Sequence, residues 1–221
     1  AAYPPGKGDI TNMIRSYIHR CQKDGVKIVM NCEVTPELIK EEKPDSVIIA
    51  TGSKTLILPI EGIDNPAIIH GSDLLDGKRA AGKKVLVVGG GMVGCETAAF
   101  LGEQEHDVTV IEFRDTVGAD VIHEHRVYLM KDFEDYGIKE ITGAKVCKFY
   151  EDGVEYETAD GVRHETRGYD SVILSMGFRN YNPLEEKIKD LVPETHVIGD
   201  AIRARRALDA TKEAYEVASR L

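Results

Sequence analysis

Three glycines and one glutamate carry the clearest chemistry in this chain. The glycines are Gly89, Gly91 and Gly94 of Gly89-Gly90-Gly91-Met92-Val93-Gly94, and the acid is Glu112, 18 residues beyond Gly94. The first glycine permits a tight turn, the second keeps a Cβ out of the path of an approaching group, and the third lets the following element pack closely. Bare amides at a helix start, backed by the helix dipole, attract phosphate. A carboxylate about 20 residues further on suits an adenosine ribose hydroxyl. The implied chemistry is dinucleotide recognition, with main chain at 89–94 on the pyrophosphate and Glu112 on the sugar. Met92 and Val93 inside the turn, and Phe113 and Arg114 after the acid, are counted with this site.

Glycine spacing alone is a weak signal, because any glycine-rich turn can match it. The surrounding elements strengthen it. Val85-Leu86-Val87-Val88 has the length and β-branched character of a buried parallel strand. Val93, Thr97, Ala98 and Leu101 share one face of a following helix. Val108-Thr109-Val110-Ile111 is a second strand, and it delivers Glu112. Strand, glycine turn, helix, strand and acid stand in the order of the first unit of a dinucleotide-binding fold.

The acid favours NAD over NADP, since a carboxylate repels a 2′-phosphate and accepts from a 2′-hydroxyl. Arg114 is the counter-signal: it can turn to a 2′-phosphate or lie solvated. Glu96 complements the helix dipole at the start of its helix. Cys95 is better read as packing than as chemistry. His123 and His125, two apart on a helix, point to different faces and make no metal pair.

The chain has 221 residues, 42% of them hydrophobic, with 38 acids against 28 bases and a net charge of −10. That balance excludes nucleic acid and anionic membrane as natural partners. No apolar run approaches the ~18 residues of a membrane span. Cys21, Cys32, Cys95 and Cys147 form no CxxC pair, so neither a disulfide framework nor a zinc site is expected, and a reducing, cytoplasmic setting fits.

Along the chain, Pro4, Pro5, Gly6 and Gly8 mark a turn. A helix follows from Asp9, its expected cap, to a C-terminal Gly25. The pattern then predicts a strand at 26–30, a short helix at 36–42 capped by Thr35, and a strand at 46–50. Residues 53–70 read as loop, and 73–81 as a polar helix or turn. A helix over 121–136 is predicted to bury Val121, Val127, Leu129, Met130 and Phe133. Strands at 144–150, 153–158 and 162–166 read as an antiparallel meander, with Asp152-Gly153 and Asp160-Gly161 as its turns. Further strands are expected at 171–175 and 195–198, and an amphipathic helix at 205–221. Two strands share an ending: Asp45-Ser46-Val47-Ile48-Ile49-Ala50-Thr51-Gly52 and Asp170-Ser171-Val172-Ile173-Leu174-Ser175-Met176-Gly177. They bracket the glycine turn like the exits of two related nucleotide-binding units, one nested in the other. The fold class is α/β: a Rossmann-like domain at 76–178 with an inserted antiparallel meander, between outer parts at 1–75 and 179–221.

The nested pattern resembles the pyridine nucleotide–disulfide oxidoreductase group of flavoproteins. AAYPPGK, PDSVIIATGS, VLVVGGGMVGCE and VIGDAIRARRALDATKEAYEVA are similar to the C-terminal portion of the 2,4-dienoyl-CoA reductase, enoate reductase, NADH:flavin oxidoreductase and trimethylamine dehydrogenase family. The resemblance covers nearly the whole chain. It implies that 76–178 is the NAD(P)H domain and that the flanking parts belong to a partial FAD domain lacking its own glycine fingerprint. It further implies a missing FMN and iron–sulfur barrel on the same polypeptide, so the chain is read as a fragment.

Within that resemblance Gly199 and Asp200 approach the FAD ribityl and pyrophosphate, Thr51 and Gly52 lie where the FAD and NAD parts meet, Gly177 is counted among the cofactor-binding residues, and Glu96 stands near the nicotinamide. The implied reaction is hydride transfer from NADH to FAD, for onward reduction of an enoate or dienoyl-CoA type substrate. No side chain is assigned as catalytic, and the fragment alone is expected to retain no FAD. Arg203-Ala204-Arg205-Arg206 can face FAD phosphates, the barrel or solvent. The rival reading is an adenine-nucleotide module without turnover. A weaker third, an S-adenosylmethionine enzyme, is opposed by the paired Gly-ended strands and by Val197-Ile198-Gly199-Asp200.

Overall fold

The computed structural model describes residues 7–221, so the turn expected at Pro4, Pro5 and Gly6 lies outside the described residues. In chain order the elements are α1 (Asp9–Lys23), α2 (Pro36–Glu42), β1 (Ser46–Ile49), β2 (Ser53–Thr55), β3 (Ile69–His70), α3 (Gly71–Leu75), β4 (Lys84–Val88), α4 (Met92–Glu103), β5 (Asp107–Ile111), α5 (His123–Asp135), β6 (Lys139–Ile141), β7 (Lys145–Tyr150), β8 (Gly153–Glu157), β9 (Arg163–Thr166), β10 (Ser171–Leu174), β11 (Phe178–Asn180), α6 (Glu185–Ile188), β12 (Glu194–Val197), a 3-10 turn (Gly199–Ala201) and α7 (Ala207–Ala218). They gather into two compact units. The described part of the first takes 7–24 and 57–177; the second takes 25–56 and 178–221. By contact, then, α1 and residues 57–75 belong with the glycine turn.

The first unit is built on a five-stranded parallel sheet of order β3-β10-β4-β5-β6. Its central strand explains its own composition. Val85 and Val87 pack with Val108, Val110, Ala98, Leu101 and Phe133 on the side of α4 and α5. Leu86 and Val88 pack with Ile111, Val172, Leu174, Phe149 and Val154 on the side of the meander. Both faces are covered, so the strand is apolar without alternation. The meander β7-β8-β9 is antiparallel, with a register shift between Val146 and Lys148.

The second unit is smaller. β1 runs parallel to β12, β2 runs antiparallel to β11, and Ile39, Ile49, Leu184, Ile188, Val192 and Ala201 make its core. Thr35 caps α2 as expected, its Oγ1 accepting from Leu38 N–H at 3.3 Å.

Several local expectations change. Residues 26–30 are not a strand: among the described residues no neighbour pairs their main chain, and Val26, Ile28, Val29 and Met30 are exposed. A strand needs a partner for its N–H and C=O groups, whatever its side-chain alternation. Val127 is 56% exposed, because α5 turns Leu129 and Phe133 inward and a residue two positions away faces outward. Gly8, not Asp9, stands at the cap of α1, and Asp9 is in its first turn. The short strands β2, β3, β6 and β11 are additions, defined by partners remote in sequence rather than by local pattern.

Two helices bury nothing. In α1, Met13, Ile14, Tyr17 and Ile18 are each 44–49% exposed; in α7, Leu208 and Tyr215 are about three-quarters exposed. No described helix is long and apolar enough to cross a membrane.

The core assignment gives a contrast measurable by urea unfolding. Leu86→Ala is expected to lose about 2–5 kcal/mol of stability, whereas Val127→Ala stays within about 0.5 kcal/mol of wild type.

Candidate nucleotide site

The glycine turn sits at the carboxyl end of the central strand, where α/β sheets place their ligands. Gly89 has φ +104°, and a Cβ there would meet the Ser175 carbonyl oxygen at 2.4 Å. Glycine is required at 89 on both counts. At Gly94 a Cβ would meet the Gly89 oxygen at 1.8 Å, so the first turn of α4 lies directly against the loop that leads into it. Gly90 is tight against Val117 and Glu112, whose atoms would lie 2.8 and 2.9 Å from an added Cβ.

Glu112 turns toward this loop. One carboxylate oxygen accepts from Gly90 N–H at 2.6 Å and the other from Arg114 N–H at 2.9 Å. The residue is 8% exposed. A carboxylate oxygen can take two hydrogen bonds, so each keeps accepting capacity. Glu112 thus ties the glycine turn to the end of β5 before any sugar is considered. Phe113 and Arg114 follow it on the surface, Phe113 at 69% exposure.

Asp120 is a second carboxylate at the loop, and nothing in the glycine pattern signals it. Its Oδ1 accepts from Met92 N–H at 2.9 Å, and its Oδ2 would lie 3.2 Å from a Cβ on Gly91. The Gly91 backbone, expected to be bare, is therefore overlain by a side chain from the loop after β5.

Glu96 is 6% exposed, and its carboxylate pairs with the ammonium of Lys7, a residue 89 positions away. Lys7 was not singled out by spacing; only the fold brings it to α4. Pairing lets a carboxylate stay charged with little water around it. Cys95 is fully buried beneath the loop, and its thiol donates to the Gly90 carbonyl at 3.2 Å. Burial pushes that thiol up to about 12, which makes it a poor nucleophile at neutral pH.

The remaining expected site residues divide between the units. Gly177, with φ +98° and open space where a Cβ would stand, ends the first unit. Thr51, Gly52, Gly199 and Asp200 are in the second. There the Thr51 hydroxyl donates to the Tyr181 carbonyl, and Gly52, at φ +76°, also has open space beside it. Asp200 accepts from the Ser53 hydroxyl at 3.1 Å and from Arg205 N–H at 3.0 Å. Gly199 N–H donates to Glu213 at 2.7 Å, and Glu213 also pairs with Arg205 at 2.5 Å. Arg205 is thereby held within its own unit. Among the described residues no cluster of His, Cys, Asp or Glu could hold a metal ion.

Thiol alkylation at pH 8 tests the buried pocket under the loop: Cys32, which is exposed, is expected to react quickly, and Cys95 only after unfolding. Fast labelling of Cys95 in the folded chain would show that the loop does not seal it.

Residues 7–198 match the family described as "Pyridine nucleotide-disulphide oxidoreductase". A cinnamate reductase of Clostridium sporogenes is 29% identical over 221 residues, covering 99% of this chain and 33% of that protein. An NADH oxidase of Thermoanaerobacter brockii is 31% identical over 224 residues, covering 99% of this chain and 34% of that protein. Among solved structures, a 2-naphthoyl-CoA reductase in complex with 2-naphthoyl-CoA superposes with a TM-score of 0.90 at 30% identity, covering 100% of this chain and 33% of the other. The chain thus spans about a third of the length of these relatives.

Proposed function

Since the chain belongs to the pyridine nucleotide-disulphide oxidoreductase family, we propose that it is the NADH-binding portion of a flavin-dependent oxidoreductase. In this reading it binds NADH at residues 89–94 and Glu112 and presents the nicotinamide to FAD. Electrons then pass to an FMN and iron–sulfur barrel on the same polypeptide, which reduces an enoate or dienoyl-CoA type substrate.

The observation that carries the reading is the close seat of α4. Its first amides project from a strand end that glycine alone can form, with Glu112 fixed 2.6 Å from Gly90 N–H. The residues fit a dinucleotide. Main chain at Gly91, Met92 and Val93 serves the pyrophosphate. Glu112 retains accepting capacity for ribose hydroxyls and opposes a 2′-phosphate, which favours NADH over NADPH. Phe113 offers an apolar surface and Arg114 a cation beside the adenosine. Glu96, held by Lys7, sets the charge near the nicotinamide end, and Gly177 keeps that end clear of side chains. In the second unit Thr51, Gly52, Gly199 and Asp200 are assigned to FAD, whose own glycine fingerprint these 221 residues do not contain. Stable FAD retention by this chain alone is therefore not expected.

The bound nicotinamide and flavin supply the hydride chemistry themselves. The work left to the side chains is binding, alignment and exclusion of water, and no proton-transferring residue is required. The apolar stripes left open on α1 and α7 support further packing partners, since exposed clusters of this kind mark interfaces.

Calorimetric titration of the chain with NADH and NADPH checks the assignment. NADH is expected to bind more tightly. Glu112→Ala is expected to weaken NADH about tenfold and to narrow the gap between the nucleotides. Equal affinity for both in wild type removes the NADH assignment. A full-length protein that is stabilised equally by ADP and NADH, but does not reduce its flavin, points to the non-catalytic nucleotide module instead.

A further inference from the structure

We propose that Asp120 occupies the phosphate seat of α4 as an internal anion, which the pyrophosphate must displace to bind. This rests on the nucleotide reading above and concerns the same site. Gly91 is the N-cap of α4 and has no side chain with which to cap it. The carboxylate of Asp120 takes that place, on Met92 N–H at 2.9 Å and over the Gly91 backbone. A phosphate oxygen seeks the same donor and the same end of the dipole. Two anions cannot share that donor without repulsion.

The loop carrying Asp120 is firmly held. Gly118 N–H donates to the Gly90 carbonyl at 2.7 Å, and Val121 N–H to the Gly118 carbonyl at 3.1 Å. Arg126 donates to Thr116 Oγ1 at 2.9 Å and to the Val117 carbonyl at 3.1 Å. Val117 is buried against Gly90. Asp120 itself is exposed. Displacement therefore moves the side chain of a surface residue off Met92 N–H, with the loop backbone left in place. Asp120 keeps the first helical turn capped, and part of the ligand's binding energy goes into replacing that cap. Glu112 differs: it is buried and bonded to amides on either side, so it stays in place when the phosphate arrives.

The test is calorimetric titration of wild type, Asp120→Asn and Asp120→Ser with ADP, NADH and adenosine. Asp120→Asn removes the charge and keeps an oxygen able to accept from Met92 N–H, and Asp120→Ser removes the charge with a side chain one bond shorter, so either serves if the other fails to fold. ADP and NADH are expected to bind about three- to tenfold more tightly to the uncharged variants. That gain should shrink with added salt, and adenosine, which lacks phosphate, should show none. Unchanged or weaker ADP binding, with NADH still bound, overturns the displaced-anion role and leaves the nucleotide site standing. Folded protein that binds no nucleotide in any form overturns both.

Discussion

The approach of the first turn of α4 to the end of β4 constrains everything around it. The two backbones come so close that a single methyl group at position 94 would fall 1.8 Å from the Gly89 oxygen. Such a contact brings helical amides to the carboxyl edge of a parallel sheet, and only a chain without side chains at both places can make it. The strand must be fully buried for its end to be fixed, which accounts for the apolar residues from Val85 to Val88 and for the layers on both faces. Glu112 then locks the loop from the neighbouring strand, through Gly90 N–H.

Much of this was legible in the sequence, because the signals are local. Glycine spacing, an unbroken apolar run and an acid at the end of the next strand all fall within one stretch of 28 residues, 85–112. The meander was readable for the same reason: Asp152-Gly153 and Asp160-Gly161 set its turns by local backbone preference. The twin endings at Gly52 and Gly177 follow two parallel-paired strands, β1 and β10, one in each unit.

What escaped the sequence depends on distant partners. Residues 26–30 have the β-branched, apolar composition of a strand, but among the described residues nothing pairs with them. Residues 53–55 lack strand character yet form one, because 178–180 lies alongside. Val127 fits a helical apolar pattern only if the inward face is misplaced; Leu129 and Phe133 define that face once α4 is in position. The site has the same limit. Lys7 and Asp120 reach it from 89 and 28 residues away in the chain, and neither distance follows any motif. Their roles come from charge and burial: a carboxylate on α4 that needs a counter-ion, and a helix start that lacks a cap of its own.

The central claim is that main chain at 89–94 receives a diphosphate. Amide chemical shifts followed by NMR during titration with ADP-ribose test it most directly. The Gly91, Met92 and Val93 amides are expected to move most and saturate together, with Gly90 and Arg114 following through Glu112. Binding that leaves those amides unshifted, while amides elsewhere in the chain respond, would contradict it.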